Sequence, residues 1–157
     1  MGKLAIVLFE PEIPPNTGNV ARTCAATGVE LHLIEPLGFS IDDRAVKRAG
    51  LDYWRDVQVH VHSGWTDFSG YSASADFAFL STRGMQPYSE IPVDESGTRY
   101  LVFGPETRGL PEDLLAENRH NTYRIPMRRG QRSLNLGNTV ALVLYDQLAR
   151  RGFPDLQ

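Results

Sequence analysis

The fold is decided by residues 125–151, IPMRRGQRSLNLGNTVALVLYDQLARR, whose two halves follow different patterns. In the second half, apolar residues recur at helical spacing, which predicts a helix with one buried face. These residues are Leu136, Val140, Val143, Leu144 and Leu148. Asn135 stands just before them, where its side-chain oxygen can cap the free amides of the first turn. The first half is a glycine-containing basic loop, either a binding loop held by a packed helix or simply an exposed loop before a core helix.

The composition is that of an ordinary soluble protein. The 157 residues are 41% hydrophobic and 22% charged, and we predict one domain over residues 1–157. No apolar run approaches the roughly 18 residues of a membrane span, and the apolar run near the start is too short for a signal peptide. The single cysteine, Cys24, excludes an internal disulfide and a multi-cysteine zinc site. We therefore expect a cytoplasmic protein.

Positive charge is concentrated near the end of a chain whose net charge is −3. Residues 118–151 contain seven arginines and a single acidic residue, Asp146. A local cationic region on an acidic protein suits an anionic partner bound at one place. The alternative is a solvated surface on which these arginines pair with nearby carboxylates.

Short apolar runs alternate with helical patterns along the chain. The predicted strands are residues 3–9, 31–34, 57–61, 77–80, 100–103 and 122–125. The predicted helices begin at 16 or 17 (ending at Gly28), span 42–49 (ending at Gly50), 65–75 and 111–117, and begin at 136 for the last. Residues 86–97 are predicted to be surface loop. This alternation predicts an α/β fold with a mostly parallel sheet and helices on both faces.

Four polar loops follow strands in this prediction, namely residues 11–19, 81–84, 104–109 and 126–135. Because ligands bind beyond the carboxyl ends of parallel strands, we expect these loops to form one site. The first loop leads into a helix N-terminus, a general anion site, and Arg22 lies about one turn inside that helix.

Several familiar sites are excluded by single positions. Gly104 and Gly109 have P-loop spacing, but Leu110 stands where the lysine is required. No GxGxxG follows the first strand. His60 and His62 could share a strand face, but no third ligand is evident, so we predict no metal site. The remaining glycines, amides, arginines and Glu106 favour binding a nucleoside and phosphates, and from pattern alone a flavodoxin-like small-molecule binder stays open.

The sequence gives no clear nucleophile for covalent catalysis. Cys24 lies on an apolar helical face, where a buried thiol is expected rather than a nucleophile. No Ser-His-Asp arrangement can be assigned either.

Three segments resemble the motifs of one family. They are PEIPPNTGNVART (11–23), LVFGPETRGLP (101–111) and IPMRRGQRSLNLGNTVALVLYD (125–146), and EPLGFSIDDRAVKRAGLDYW (35–54) also matches. Together they resemble the SPOUT superfamily of RNA methyltransferases, in the branch that methylates ribose 2′-hydroxyls. The likeness is closest to short members that act on the tRNA wobble nucleotide, cytidine or uridine 34.

The resemblance implies a C-terminal trefoil knot that binds S-adenosylmethionine, with no metal. It also implies a tRNA anticodon stem-loop as substrate and a homodimer with its site near the subunit interface. Methylation of another tRNA ribose, or a non-catalytic knotted RNA-binding protein, remains an alternative.

Residue by residue, the resemblance gives two sets. The cofactor-binding set is Leu80, Ser81, Thr82, Phe103, Gly104, Pro105, Glu106, Ile125, Pro126, Met127, Ser133, Leu134 and Asn135. The catalytic set is Arg22, Asn16, Glu106, Ser133, Asn135 and Tyr145.

The roles expected of the catalytic set differ. The arginine matching Arg22 is assigned as the base in the family, but a guanidinium stays protonated, so we expect it to grip a phosphate and stabilise the reacting oxygen. Asn16 would position Arg22, and Ser133 or Asn135 would orient the ribose. Glu106 would fix the motif loop or an arginine. Tyr145 would place the substrate, or be a buried helix aromatic.

One position departs from the family pattern. Gly137 stands where relatives commonly have serine, and we expect activity to survive this change because Ser133 and Asn135 are retained.

Overall fold

Among the residues that the structure describes, seven strands form one sheet in which every paired neighbour is parallel. The computed structural model describes residues 2–48, 52–93 and 96–157. The strands are β1 (Lys3–Phe9), β2 (Glu30–Ile34), β3 (Val59–His62), β4 (Asp76–Leu80), β5 (Gln86–Pro87), β6 (Thr98–Phe103) and β7 (Thr122–Arg124). Their order across the sheet is β3-β2-β1-β6-β4-β7-β5. The predicted parallel sheet is confirmed.

Helices cover both faces of this sheet, as predicted. They are α1 (Pro14–Thr27), α2 (Asp43–Arg48), α3 (Trp65–Tyr71), α4 (Glu112–Glu117) and α5 (Leu136–Arg150), with 3-10 helices at Asp52–Asp56, Tyr88–Glu90 and Arg119–Asn121. Alternate residues of β1 enter two separate cores, one packed by α1 and α5 and the other by α3 and α4. A strand buried on both faces is continuously apolar, which is why LAIVLF has no polar alternation. Within the described ranges, no helix has the length and apolar character needed to cross a bilayer.

The start of α1 differs from the prediction. The helix begins at Pro14, with Ile13 at the N-cap and no side-chain cap, so Asn16 and Thr17 lie inside the first turns and are buried. Two prolines are tolerated there because the first-turn amides have no intrahelical acceptor. Gly28 ends the helix as predicted, in the left-handed conformation with φ 70°.

Other boundaries move by a few residues. Gln86–Pro87 was expected in a loop but forms the edge strand β5, which is too short to give a sequence pattern. β3 starts at Val59 rather than at residue 57, and α3 ends at Tyr71 rather than at residue 75. The predicted stop of α2 at Gly50 lies outside the described residues.

The last strand is inserted between two strands that are joined by only five residues. β7 lies between β4 and β5, and residues 81–85 pass around it. Ser81 N donates to Tyr123 O (2.9 Å), and Met85 N donates to Thr122 O (3.2 Å). A Cβ on Gly84 would stand 2.2 Å from the Tyr123 carbonyl carbon, so only glycine fits this turn. The C-terminal part of the chain thus passes through a loop formed earlier, an arrangement that most folds avoid.

A polar cluster interrupts the core between β2 and β3. His32 is fully buried, and its ring stacks on His60 with centroids 4.6 Å apart. Burial, with smaller contributions from His60 and His62, lowers the pKa of His32 to about 3. The imidazole of His32 is therefore neutral at neutral pH.

Candidate active site

A cavity of about 880 Å³ opens beyond the carboxyl ends of β1, β4 and β6. All four loops predicted to converge contribute to its wall, since the crossover geometry of a parallel sheet brings them to one edge. Twelve of the thirteen residues predicted to bind cofactor line it, and Pro126 does not. The geometry therefore gathers nearly the whole predicted set, whose role in binding stays a prediction.

Glu106 joins the loop after β6 to the loop after β1. Its Oε2 accepts from the backbone amide of Glu12 (2.9 Å), and its Oε1 accepts from that of Ile13 (3.1 Å). Oε1 also lies 3.4 Å from Nδ2 of Asn16. A carboxylate that accepts free amides at the start of a helix is favoured both by hydrogen bonding and by the helix dipole. The expected partner of Glu106 was either a motif loop or an arginine. The observed partner is the loop of the first motif, through the amides of Glu12 and Ile13.

Asn135 adds the third loop to this network. Its Nδ2 donates to Oδ1 of Asn16 (2.9 Å), although the two residues are 119 positions apart in sequence. Its Oδ1 accepts from the Asn138 amide (3.3 Å), so the predicted N-cap of α5 is confirmed. One side chain therefore both starts the last helix and holds it against α1.

A second contact between the loop after β1 and the loop after β6 was not predicted. The hydroxyl and the backbone amide of Thr107 donate to the Glu12 carboxylate, at 2.8 and 3.2 Å. These two hydrogen bonds, the hydroxyl's first, lower the pKa of Glu12. Arg108 pairs with Glu10 beside them. Glu12 gave no sequence signal because its partner is 95 residues away.

Gly104 lets the loop after β6 close on itself. A Cβ at this position would stand 2.4 Å from Leu110 N and 2.5 Å from the Gly109 carbonyl carbon. Real Cβ atoms do not approach backbone atoms this closely, so Gly104 is required for the shape of the cavity wall.

The predicted catalytic residues fall into two groups. Asn16, Glu106, Ser133 and Asn135 line the cavity. Arg22 does not. It is exposed on α1, with its guanidinium carbon 5.1 Å from the centre of the Tyr53 ring. The described hydrogen bonds of Asn16 run to Glu106 and Asn135, and none runs to Arg22, so the expectation that Asn16 positions Arg22 is not met.

Tyr145 also lies outside the cavity wall. It is 44% exposed on α5, and the alternative of a buried helix aromatic is therefore wrong. Leu142, one turn earlier, is 38% exposed. The pair forms an apolar strip on the outer face of the last helix.

The basic loop, residues 126–134, is exposed throughout. Its three arginines, Arg128, Arg129 and Arg132, form no ion pair within the part of the chain that is described. Other arginines of the basic region do have partners: Arg124 donates to two backbone carbonyls, and Arg150 pairs with Asp146. The cationic region is thus partly structural and partly available to an anion.

Comparison with known proteins agrees with this arrangement. Residues 3–145 match the family model described as SpoU rRNA Methylase family. A tRNA (cytidine(34)-2′-O)-methyltransferase from Saccharophagus degradans is 49% identical over 149 residues, covering 94% of this chain and 96% of its own. A solved structure from Bacillus anthracis has a TM-score of 0.93 at 44% identity, covering 98% of each chain.

A second solved structure carries a functional description. It is described as giving insight into 2-OH methylation of C/U34 on tRNA, and it has a TM-score of 0.86 at 44% identity, covering 96% of this chain and 97% of its own. The chain therefore belongs to the SpoU methylase family, and its parallel sheet with a threaded last strand is the knotted fold of that family.

Proposed function

We propose that this protein transfers a methyl group from S-adenosylmethionine to the ribose 2′-hydroxyl of nucleotide 34 in tRNA, in the cytoplasm. Relatives at 44–49% identity, covering nearly all of both chains, carry names for this reaction. The observation on this chain that carries the proposal is one hydrogen-bonded unit at the cavity. Glu106 in the loop after β6, Asn16 in the first turn of α1 and Asn135 at the N-cap of α5 meet there.

The cavity suits the methyl donor in size and chemistry. Its volume lies in the range typical of small-molecule sites, and its wall mixes apolar side chains with loop backbone. Residues 80–82, 103–106, 125–127 and 133–135 would hold the nucleoside. When bound, S-adenosylmethionine supplies an activated methyl group on a sulfonium leaving group.

The residues at the cavity then have mainly a positioning task. Ser133 and Asn135 stand at the edge shared with the basic loop, where they can hydrogen-bond the ribose. Asn135 is itself held by Asn16, which is held by Glu106. Fixing the hydroxyl in line with the methyl group removes most of the entropic cost of the reaction.

Arg22 requires a second copy of the chain in this proposal. It lies outside the cavity wall of its own chain, exposed, with its guanidinium over Tyr53. We infer a homodimer in which Arg22 of one protomer reaches the cavity of its partner, and the exposed strip of Leu142 and Tyr145 is the candidate interface. In that cavity the guanidinium would bind the phosphate beside the target ribose and stabilise negative charge on the ribose oxygen, whose proton passes to solvent water.

The decisive experiment maps the methylated nucleotide. The purified protein is incubated with labelled S-adenosylmethionine and an unmodified tRNA transcript, and the label is located by nuclease digestion. We expect label only at nucleotide 34, and none on a matched transcript with 2′-deoxyribose there. Label at another ribose, or on a ribosomal RNA fragment as the family description suggests, would reject the assigned substrate.

A complementation experiment tests the shared site. Arg22→Ala and Glu106→Gln proteins, each inactive alone, are mixed under conditions that allow subunit exchange. If Arg22 acts across the interface, one of the two sites in each mixed dimer is intact, and about a quarter of wild-type activity returns. If Arg22 acts within its own chain, no activity returns.

A further inference from the structure

The histidine cluster between β2 and β3 lies away from the methyl-transfer cavity. In the parallel register His32 is opposite His60, and Ile34 is opposite His62. Glu30 is the first residue of β2, so its carboxylate lies near the amino end of the sheet. None of these residues lines the cavity. The cluster is therefore not explained by the proposed reaction.

Two buried nitrogen atoms in this cluster have no hydrogen-bond partner among the described residues. They are Nε2 of His32 and Nε2 of His60, and both face Oε2 of Glu30, at 3.7 and 3.2 Å. His32 is 0% exposed, so bulk water does not reach its Nε2. A buried polar atom without a partner in a native structure requires a physical explanation.

The protons of the cluster can be placed so that Nε2 of His32 is free to bind a cation. Nδ1 of His32 lies 3.0 Å from Nε2 of His62, and Nδ1 of His62 faces Asp67 at 3.8 Å. If each neutral ring carries its proton on Nδ1, then Nδ1 of His32 donates to Nε2 of His62, and the Nδ1–H of His62 points at the Asp67 carboxylate. Nε2 of His32 then directs a lone pair at a carboxylate, which is repulsive unless a cation lies between them.

We propose that Glu30, His32 and His60 bind a divalent transition-metal ion of the Zn²⁺ class. Neutral imidazole nitrogen and carboxylate oxygen are the ligands this class prefers. The three ligand atoms lie within 4.8 Å of one another, and two of the separations are close to the roughly 3.4 Å between ligands around a tetrahedral zinc. His62 and Asp67 supply the outer contacts that orient a metal-bound histidine.

The site can form with little rearrangement. His60 is on the edge strand β3 and its side chain is 26% exposed, so its ring can turn toward the ion without disturbing the core. The Glu30 side chain is 34% exposed and leaves room for water as a fourth ligand. A bound ion would join β3 to β2, which gives it a structural role at the edge of the sheet. The sequence gave only the pair on β3, because Glu30 and His32 lie on another strand.

Zinc binding to the full-length protein tests this proposal without reference to methyl transfer. The protein is stripped with a chelator, exchanged into chelator-free buffer and titrated with Zn²⁺ by calorimetry, with metal content measured after dialysis. We expect one ion per chain and a melting temperature that rises with Zn²⁺ concentration, since only the folded state has the site. Absence of stoichiometric binding would overturn the proposal.

Three variants locate the ion. His60→Ala and Glu30→Gln change partly exposed ligands and should each weaken Zn²⁺ binding by at least an order of magnitude. His120→Ala removes an exposed histidine elsewhere in the chain and should leave binding unchanged. Circular dichroism checks that all three variants are folded. Binding that survives both ligand changes but is lost in His120→Ala would assign the ion to the surface and overturn the proposal.

Discussion

The two sides of the cavity are built in opposite ways. The hydrogen-bonded side consists of residues 10–16, residues 104–109 and Asn135, whose polar side chains bond one another across about a hundred residues of sequence. The basic loop faces it, with exposed arginines that have no described ion pair. The first arrangement is ordered before any ligand arrives, which lowers the entropic cost of binding a small molecule. The second leaves its charge available for a polyanion.

The strongest test of this contrast compares one glycine from each side. Gly104→Ala should destabilise the protein by about 3 kcal/mol or more, because its Cβ would overlap backbone that cannot move away. Gly130→Ala should cost only about 1–2 kcal/mol, since φ there is 81° but nothing lies within 4 Å of the added Cβ. Urea unfolding of both variants measures the difference. Equal losses would mean that the two sides are equally adaptable.

Asn135 allows capping to be separated from the contact between loops. Asn135→Ala should lose about 1–2 kcal/mol of stability because the N-cap of α5 is removed. Asn135→Ser keeps a capping oxygen, but its shorter side chain does not reach Oδ1 of Asn16, so it should lose less stability than Asn135→Ala. Both variants should lose methyl transfer by at least an order of magnitude if the loop contact positions the ribose.

The control for this pair is one turn along the same helix. Asn138 is exposed, and Asn138→Ala should change neither stability nor activity appreciably. If Asn135→Ser retained full activity, the hydrogen bond between Asn135 and Asn16 would have no part in the reaction.

Local pattern predicted those parts of the fold whose causes are local. The apolar run of β1, the spacing of α5 and the position of Asn135 each act within a few residues, and all three are confirmed. The start of α1 was missed because two capping residues were given more weight than two prolines that also suit a first turn. The local sequence permits a helix that begins at Pro14 as well as one capped by Asn16 or Thr17, and it does not decide between them.

The site depended on information that periodicity does not contain. Which loops would converge follows from the parallel sheet, but which side chains would bond depends on strand order and on the path of the chain. The insertion of β7 between β4 and β5 breaks the usual rule against threading, so only resemblance to a family predicted it. The contact of Glu12 with Thr107 had no signal from either source.

Salt dependence tests the basic loop. Each arginine that contacts a phosphate releases counterions, so Arg129→Ala should reduce the slope of log affinity for tRNA against log salt by about 1. Changing Arg128, Arg129 and Arg132 together to alanine should reduce this slope about three times as much as Arg129→Ala alone. Stability should hardly change, because the three side chains are exposed.

Arg119 is the matched control, an exposed arginine on a 3-10 helix away from the loop. Arg119→Ala should leave the slope unchanged. The same reduction in both single variants would indicate a diffuse effect of net charge rather than phosphate contacts by the loop.

The smallest effect expected is on thiol reactivity. It compares Cys24, in the interior beneath the hydrogen-bonded side of the cavity, with a thiol placed in the basic loop. Cys24 is fully buried on α1, and burial raises its pKa to about 12 from 9.0. It should therefore react slowly with a thiol reagent even at pH 9, whereas the added thiol in Ser133→Cys should react fast because residue 133 is exposed. The raised pKa of Cys24 also determines the direction in which this group changes protein stability as the pH rises. Stability should be unaffected by this group below pH 9 and fall as the pH rises toward 12, because the unfolded thiol ionises first. Labelling of both thiols at similar rates would mean that α1 opens as readily as the loop, and the rigid side of the cavity would then not be rigid.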